Sequence, residues 1–150
     1  MRTAAAFLIA VSLSATAFAV DGKKAAYMGG SLQGIKEKAE GPIQTAGDAF
    51  LWTYKEGSVR IPYDHFVDLE YGQKAGHRIK TAIFLSPLAL FKKARHHYVT
   101  ITFKDGADQE QVGLWEFGKE IIRTDLKIMQ VRSGKELHFT DEDSHKNFAK

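Results

Sequence analysis

Apolar side chains return at every second position through much of this chain, and that spacing is the strongest constraint on its fold. Phe50, Trp52 and Tyr54 share one strand face, and Val59 and Ile61 share another after the turn residues Glu56-Gly57. Val67, Leu69 and Tyr71 are apolar while Asp68 and Glu70 point the other way; Val99, Ile101 and Phe103 alternate with Tyr98, Thr100 and Thr102. A period of two puts each set on one side of a pleated strand, so each strand buries one face. Lys104-Asp105-Gly106 then turns the chain into Gln109–Phe117, a hairpin in which Asp-Gly supplies positive-φ turn positions. Gly113 lies inside the second strand of that hairpin, where glycine marks a bulge or bend.

Two segments leave this pattern. Ser86-Pro87 followed by LALFKKAR reads as an N-cap and first helical position with basic residues toward the C-terminus, a short helix over 87–94. In Lys119–Ser133, Ile122, Leu126 and Met129 fall at i, i+4 and i+7, Glu120 opens the first turn, and Gly134 follows as the stop. That is an amphipathic helix with one buried face. Several antiparallel strands followed by one terminal helix predict a mainly β, α+β domain. Curling the sheet into a partly open antiparallel barrel, capped by the helix, protects its edges and covers its open end.

The ends read differently. Met1–Ala19 carries Arg2, a short apolar run over 4–13 and Ala17-Phe18-Ala19, the three parts of a secretory signal peptide cleaved after Ala19. A membrane span would need about 20 apolar residues. The expected destination is the periplasm or the medium. Residues 20–30 are polar and glycine-rich and read as a flexible lead-in, 31–139 as the domain, and 140–150, with both charges and few apolar residues, as a frayed tail. The chain of 150 residues is 44% hydrophobic and contains no cysteine. It has room for one core, and the missing cysteines exclude disulfide staples, Cys-ligated metal and thiol chemistry. An exported chain of this kind holds together by packing alone. Lys and Arg total 21 against 18 Asp and Glu, a spread-out surplus that does not point to nucleic acid.

Ile61-Pro62-Tyr63 leading into Phe66–Tyr71, the strand pair Tyr98–Phe117 and the helix ending at Ser133-Gly134-Lys135 together resemble the pleckstrin-homology-like superfold, in particular its bacterial PH-like and GRAM-like members. Tyr27-Met28-Gly29-Gly30 and Ser86-Pro87-Leu88 before Lys92-Lys93 are similar to small signal-bearing bacterial proteins. The resemblance implies a binding module for lipid head groups or peptides. The basic motif of the phosphoinositide readers has no counterpart on the first hairpin here, so that specificity does not carry over.

Five residues form the candidate ligand-binding set. Leu88 and Phe91 fall in Ala82–Phe91, the most apolar stretch of the chain expected after signal cleavage, and Lys92, Lys93 and Arg95 follow. Apolar anchors beside cations suit a membrane surface or anionic envelope groups; the plainer reading is a buried crossover ending in solvated charge. His96 and His97 are adjacent and point to opposite faces of a strand, a poor metal pair. Asp64, His65 and Asp68 are a close acid–histidine grouping, but no nucleophile motif accompanies them. Asp105–Glu110 lacks the ligand spacing of a calcium loop. Trp52 and Trp115 read as core before they read as a ligand floor. No catalytic residue, metal site or cofactor is expected. The function expected is a non-enzymatic binding module, with a protein–protein adaptor or inhibitor as the second reading, an envelope protein then being the partner, and a hydrolase as the third.

Overall fold

The computed structural model describes residues 22–73 and 96–149. Among them are nine strands: β1 (Ala25–Gly30), β2 (Glu40–Gly41), β3 (Ile43–Gln44), β4 (Ala49–Tyr54), β5 (Gly57–Pro62), β6 (Phe66–Gly72), β7 (His97–Lys104), β8 (Glu110–Phe117) and β9 (Leu137–Phe139). A single 3-10 turn, Tyr63–His65, joins β5 to β6, and two helices follow the hairpin, α1 (Ile122–Ser133) and α2 (Glu142–Phe148). The fold is mainly β with a helix toward the C-terminus, as the alternation requires. The signal segment and the 87–94 helix lie outside the described residues, and so do Leu88, Phe91, Lys92, Lys93 and Arg95.

Six strands form one sheet in the order β2-β1-β8-β7-β6-β9, antiparallel except for the parallel pair β6–β9. The other three form a second antiparallel sheet, β3-β4-β5. The sheets are not closed into a barrel; their aromatic faces meet. Tyr27 and Trp115 of the larger sheet lie 6.0 Å from Trp52, and Phe50 packs edge-on against Trp115 at 5.2 Å. The Trp52 indole nitrogen donates to the Ala25 carbonyl, 3.0 Å away, tying one sheet to the other. Trp52 and Trp115 are fully buried and belong to this core. Helix α1 closes it with Ile122, Leu126 and Met129, the three positions its spacing selects, and ends on Gly134 at φ 67°, a left-handed cap that glycine adopts without steric cost.

Three expectations need correction. Residues 20–30 are not wholly a lead-in: Ala25–Gly30 is a buried strand hydrogen-bonded on both sides, by β2 and β8. Gly30 serves close approach, since a Cβ there would lie 2.3 Å from the Val112 carbonyl oxygen. The segment after 140 is also structured. Asp141 caps α2 by accepting from the Ser144 backbone N–H at 2.7 Å, and Phe148 packs against Tyr71. In β6 a register shift between Phe66 and Asp68 turns Val67 out to 38% exposure, while Phe66, Leu69 and Tyr71 stay in the core. One inserted residue breaks the alternation that placed Val67 inside.

The β7–β8 hairpin forms as its pattern predicts, with a different turn chemistry. The positive φ falls on Asp108, at 61°, and Gly106 is not among the positive-φ positions. Asp105 holds the loop by accepting from the Ala107 and Gln109 backbone N–H groups and the Gln111 side chain. These hydrogen bonds to its charged form lower the Asp105 pKa. Gly113 is needed because a Cβ there would sit 2.4 Å from the Trp115 ring.

Candidate functional site

One end of the paired sheets is a corner where the chain changes sheets. The 3-10 turn Tyr63–His65 carries it from β5 in the small sheet to β6 in the large one. Backbone that leaves a ladder exposes donors and acceptors that side chains must meet, and here they do. Tyr63 is buried and donates its hydroxyl to the Thr45 carbonyl at 2.6 Å; Thr45 Oγ1 in turn donates to Asp125 of α1 at 2.5 Å. Burial pushes the Tyr63 phenol up to about 12, with Arg132 opposing and Asp125 adding to the rise, so the hydroxyl remains a donor at ordinary pH.

Against this scaffold lies an open cleft of about 640 Å³, lined by Gly47, Asp48, Arg60, Pro62, Tyr63, Asp64, His65 and Arg132. Two guanidinium groups converge on the Gly47–Asp48 turn. Arg60 of β5 places one nitrogen 2.9 Å from both carboxylate oxygens of Asp48, and Arg132 of α1 donates to the Gly47 carbonyl at 3.0 Å. Each guanidinium is thereby held while keeping further N–H donors, of which arginine carries five. A smaller hollow of about 380 Å³ continues past Asp64 and His65 to Phe66, Val67, Lys104, Asp105, Asp108 and Lys135.

The acid–histidine grouping is dispersed by this geometry. Asp64 and His65 both line the cleft, but their charged atoms are 3.9 Å apart, and His65 Nδ1 lies 3.1 Å from the Lys104 carbonyl oxygen. Asp68 is on the far face of the large sheet and pairs with His138 of β9 at 2.7 Å. Among the described residues no carboxylate therefore lies within hydrogen-bond reach of His65. His96 and His97 do face apart. His97 turns toward the core and lies 2.8 Å from the Tyr71 hydroxyl. His96 is buried on the other face, with Nδ1 hydrogen-bonded to the Glu116 carboxylate and its ring stacked on Tyr98. Among the described residues no group of three or more His, Asp or Glu is placed to hold a metal ion, and no helix is long and apolar enough to cross a membrane.

Asp48, Arg60 and Arg132 are the cleft residues that sequence reasoning passes over. Arg132 lies toward the end of the 119–133 helix, and Arg60 belongs to no motif. Their meeting depends on a contact between residues 85 positions apart, Gly47 and Arg132, for which local pattern carries no signal. No family model matches the chain, and no curated protein or solved structure matches it either.

Proposed function

We propose that this protein is an exported, non-enzymatic binding module of PH-like character, and that its ligand presents an anionic group to the corner cleft. The observation that carries the reading is Arg132, held on the neutral Gly47 carbonyl at the wall of the cleft, beside the Arg60–Asp48 pair that fixes the same turn. Preorganised guanidinium donors favour carboxylate or phosphate oxygens, because less side-chain freedom is lost on binding. Phospholipid head groups and acidic envelope polymers both offer such oxygens, in keeping with export through the Met1–Ala19 signal and with the resemblance to head-group binders.

Ethyl phosphate added to the 15N-labelled protein tests the reading. Saturable shifts at Gly47, Asp48 and Arg132, lost in Arg132→Gln, support it. Unmoved resonances through the millimolar range overturn it.

A further inference from the structure

Four formal charges line the corner cleft and they cancel, Asp48 and Asp64 against Arg60 and Arg132. The pairing among them is uneven. Arg60 and Asp48 are committed to each other by two 2.9 Å contacts. Arg132, which lines the cleft, hydrogen-bonds a neutral carbonyl. Asp64 is 84% exposed in its side chain, and its ion-pair contact is His65 at 3.9 Å, beyond hydrogen-bond reach. Among the described residues no carboxylate is in ion-pair contact with Arg132, and Asp64 meets only that distant imidazole; the two line one concave surface.

A ligand that is only anionic satisfies Arg132 and is repelled by Asp64. A ligand that is only cationic meets the reverse. We propose that the cleft selects a zwitterion, an anionic group and an ammonium a few bonds apart, with the anion on Arg132 and the ammonium on Asp64. This rests on the reading of the cleft as the ligand site and names the ligand class: amino-phosphate or amino-carboxylate groups, whether free solutes or the head groups of a phosphatidylethanolamine surface. Opposite charges at both ends also give orientation, since the reversed pose sets like charge against like. The open cleft of about 640 Å³ leaves room for the atoms to which such a group is attached.

Phosphoethanolamine and ethyl phosphate differ by the ammonium alone, so their comparison isolates the claim. Titration of the protein with each, followed by NMR at Gly47, Asp64, His65 and Arg132, should give roughly threefold or greater preference for phosphoethanolamine, the scale of an exposed ion pair. Asp64→Asn should erase the preference while ethyl phosphate binds as well as or better than before; Arg132→Gln should weaken both. Equal or tighter binding of ethyl phosphate by the wild type overturns the zwitterion inference and leaves the anion site standing. Failure of both compounds to shift the cleft removes both. Sedimentation with vesicles of phosphatidylethanolamine and phosphatidylcholine separates the sources: pelleting that free phosphoethanolamine competes away assigns the head group, and saturable binding of the free compound alone assigns a solute.

Discussion

Gly41→Ala tests the account of how the two sheets are joined. Gly41 ends β2 in the large sheet, and after Pro42 the chain continues as β3 in the small one. A Cβ built on Gly41 lies 1.6 Å from the Thr53 carbonyl oxygen and 2.7 Å from its carbonyl carbon. Both obstacles are backbone, so no side-chain rotation relieves the clash. Reaching 3.0 Å from that oxygen requires strand β4 to withdraw by about 1.4 Å, which is still a tight contact. The same withdrawal stretches the hydrogen bond from the Thr53 N–H to the Pro42 carbonyl, now 3.1 Å, beyond useful length. Overpacking of this kind costs about 1–3 kcal/mol and the lost hydrogen bond about 1 kcal/mol. The expected destabilisation is about 2–4 kcal/mol, a fall in melting temperature on the order of 10 °C for a chain of this size.

Urea unfolding followed by tryptophan fluorescence is the assay, since Trp52 and Trp115 are fully buried on opposite sheets and report loss of the interface between them. Gly47→Ala is the control: a Cβ there meets nothing within 4 Å. Both variants restrict the unfolded chain equally, so their difference isolates the clash. A Gly41→Ala midpoint matching that of Gly47→Ala, with unchanged slope, refutes the close approach of β2 and β4.

Two further outcomes follow from the core. Leu126→Ala, which empties a fully buried position on α1, should cost about 3 kcal/mol in urea unfolding, whereas Val131→Ala on the same helix, 80% exposed, should stay within about 0.5 kcal/mol. His97 has its pKa lowered, chiefly by burial, with His96 and Arg123 adding and Glu116 opposing; its contribution to stability should be complete above the ordinary imidazole value of about 6.5 and fall away as pH drops toward its folded value. Stability curves over that window should be flatter in His97→Gln than in the wild type, and parallel curves would count against the burial of a neutral His97.

Where one face of an element is buried and its neighbours are local, the pattern of residues was sufficient to place it. Phe50, Trp52 and Ile61 reach the core by alternation, and Ile122, Leu126 and Met129 by helical spacing; β7 departs from the one-face rule, because Tyr98, Thr100 and Thr102 are buried along with Val99, Ile101 and Phe103. The failures have specific causes. Ala25–Gly30 ends in two glycines, of which Gly30 lets it cross close to β8, so its strand character lies in its neighbours. Val67 is displaced by a register shift that only strand pairing reveals. β9 is three residues long and parallel to β6, and α2 is held by an Asp141 cap and a Phe148 contact that composition conceals. Asp64 and His65 were legible as a polar pair, while the arginines that give the cleft its charge were not.

The location of that cleft follows from the topology. Within a ladder the backbone satisfies itself, and side chains alternate between core and surface with little freedom to converge. At the corner the chain leaves one sheet for the other through Tyr63–His65, and the nearby turn through Thr45–Asp48 joins β3 to β4. Carbonyls at Thr45 and Gly47 are then left to take hydrogen bonds from Tyr63 and Arg132. Those bonds bring together side chains from β5, the 3-10 turn and α1, which no single strand face could do. A buried tyrosine fixes the floor, and one guanidinium from each side fixes the wall. Substitutions at the corner should therefore separate by position: Arg132→Gln, which weakens binding, removes one exposed contact and should leave urea unfolding nearly unchanged, whereas Tyr63→Phe leaves the Thr45 carbonyl without its donor and should cost about 1–2 kcal/mol. Equal stability of the two variants would mean that the corner is held by packing alone.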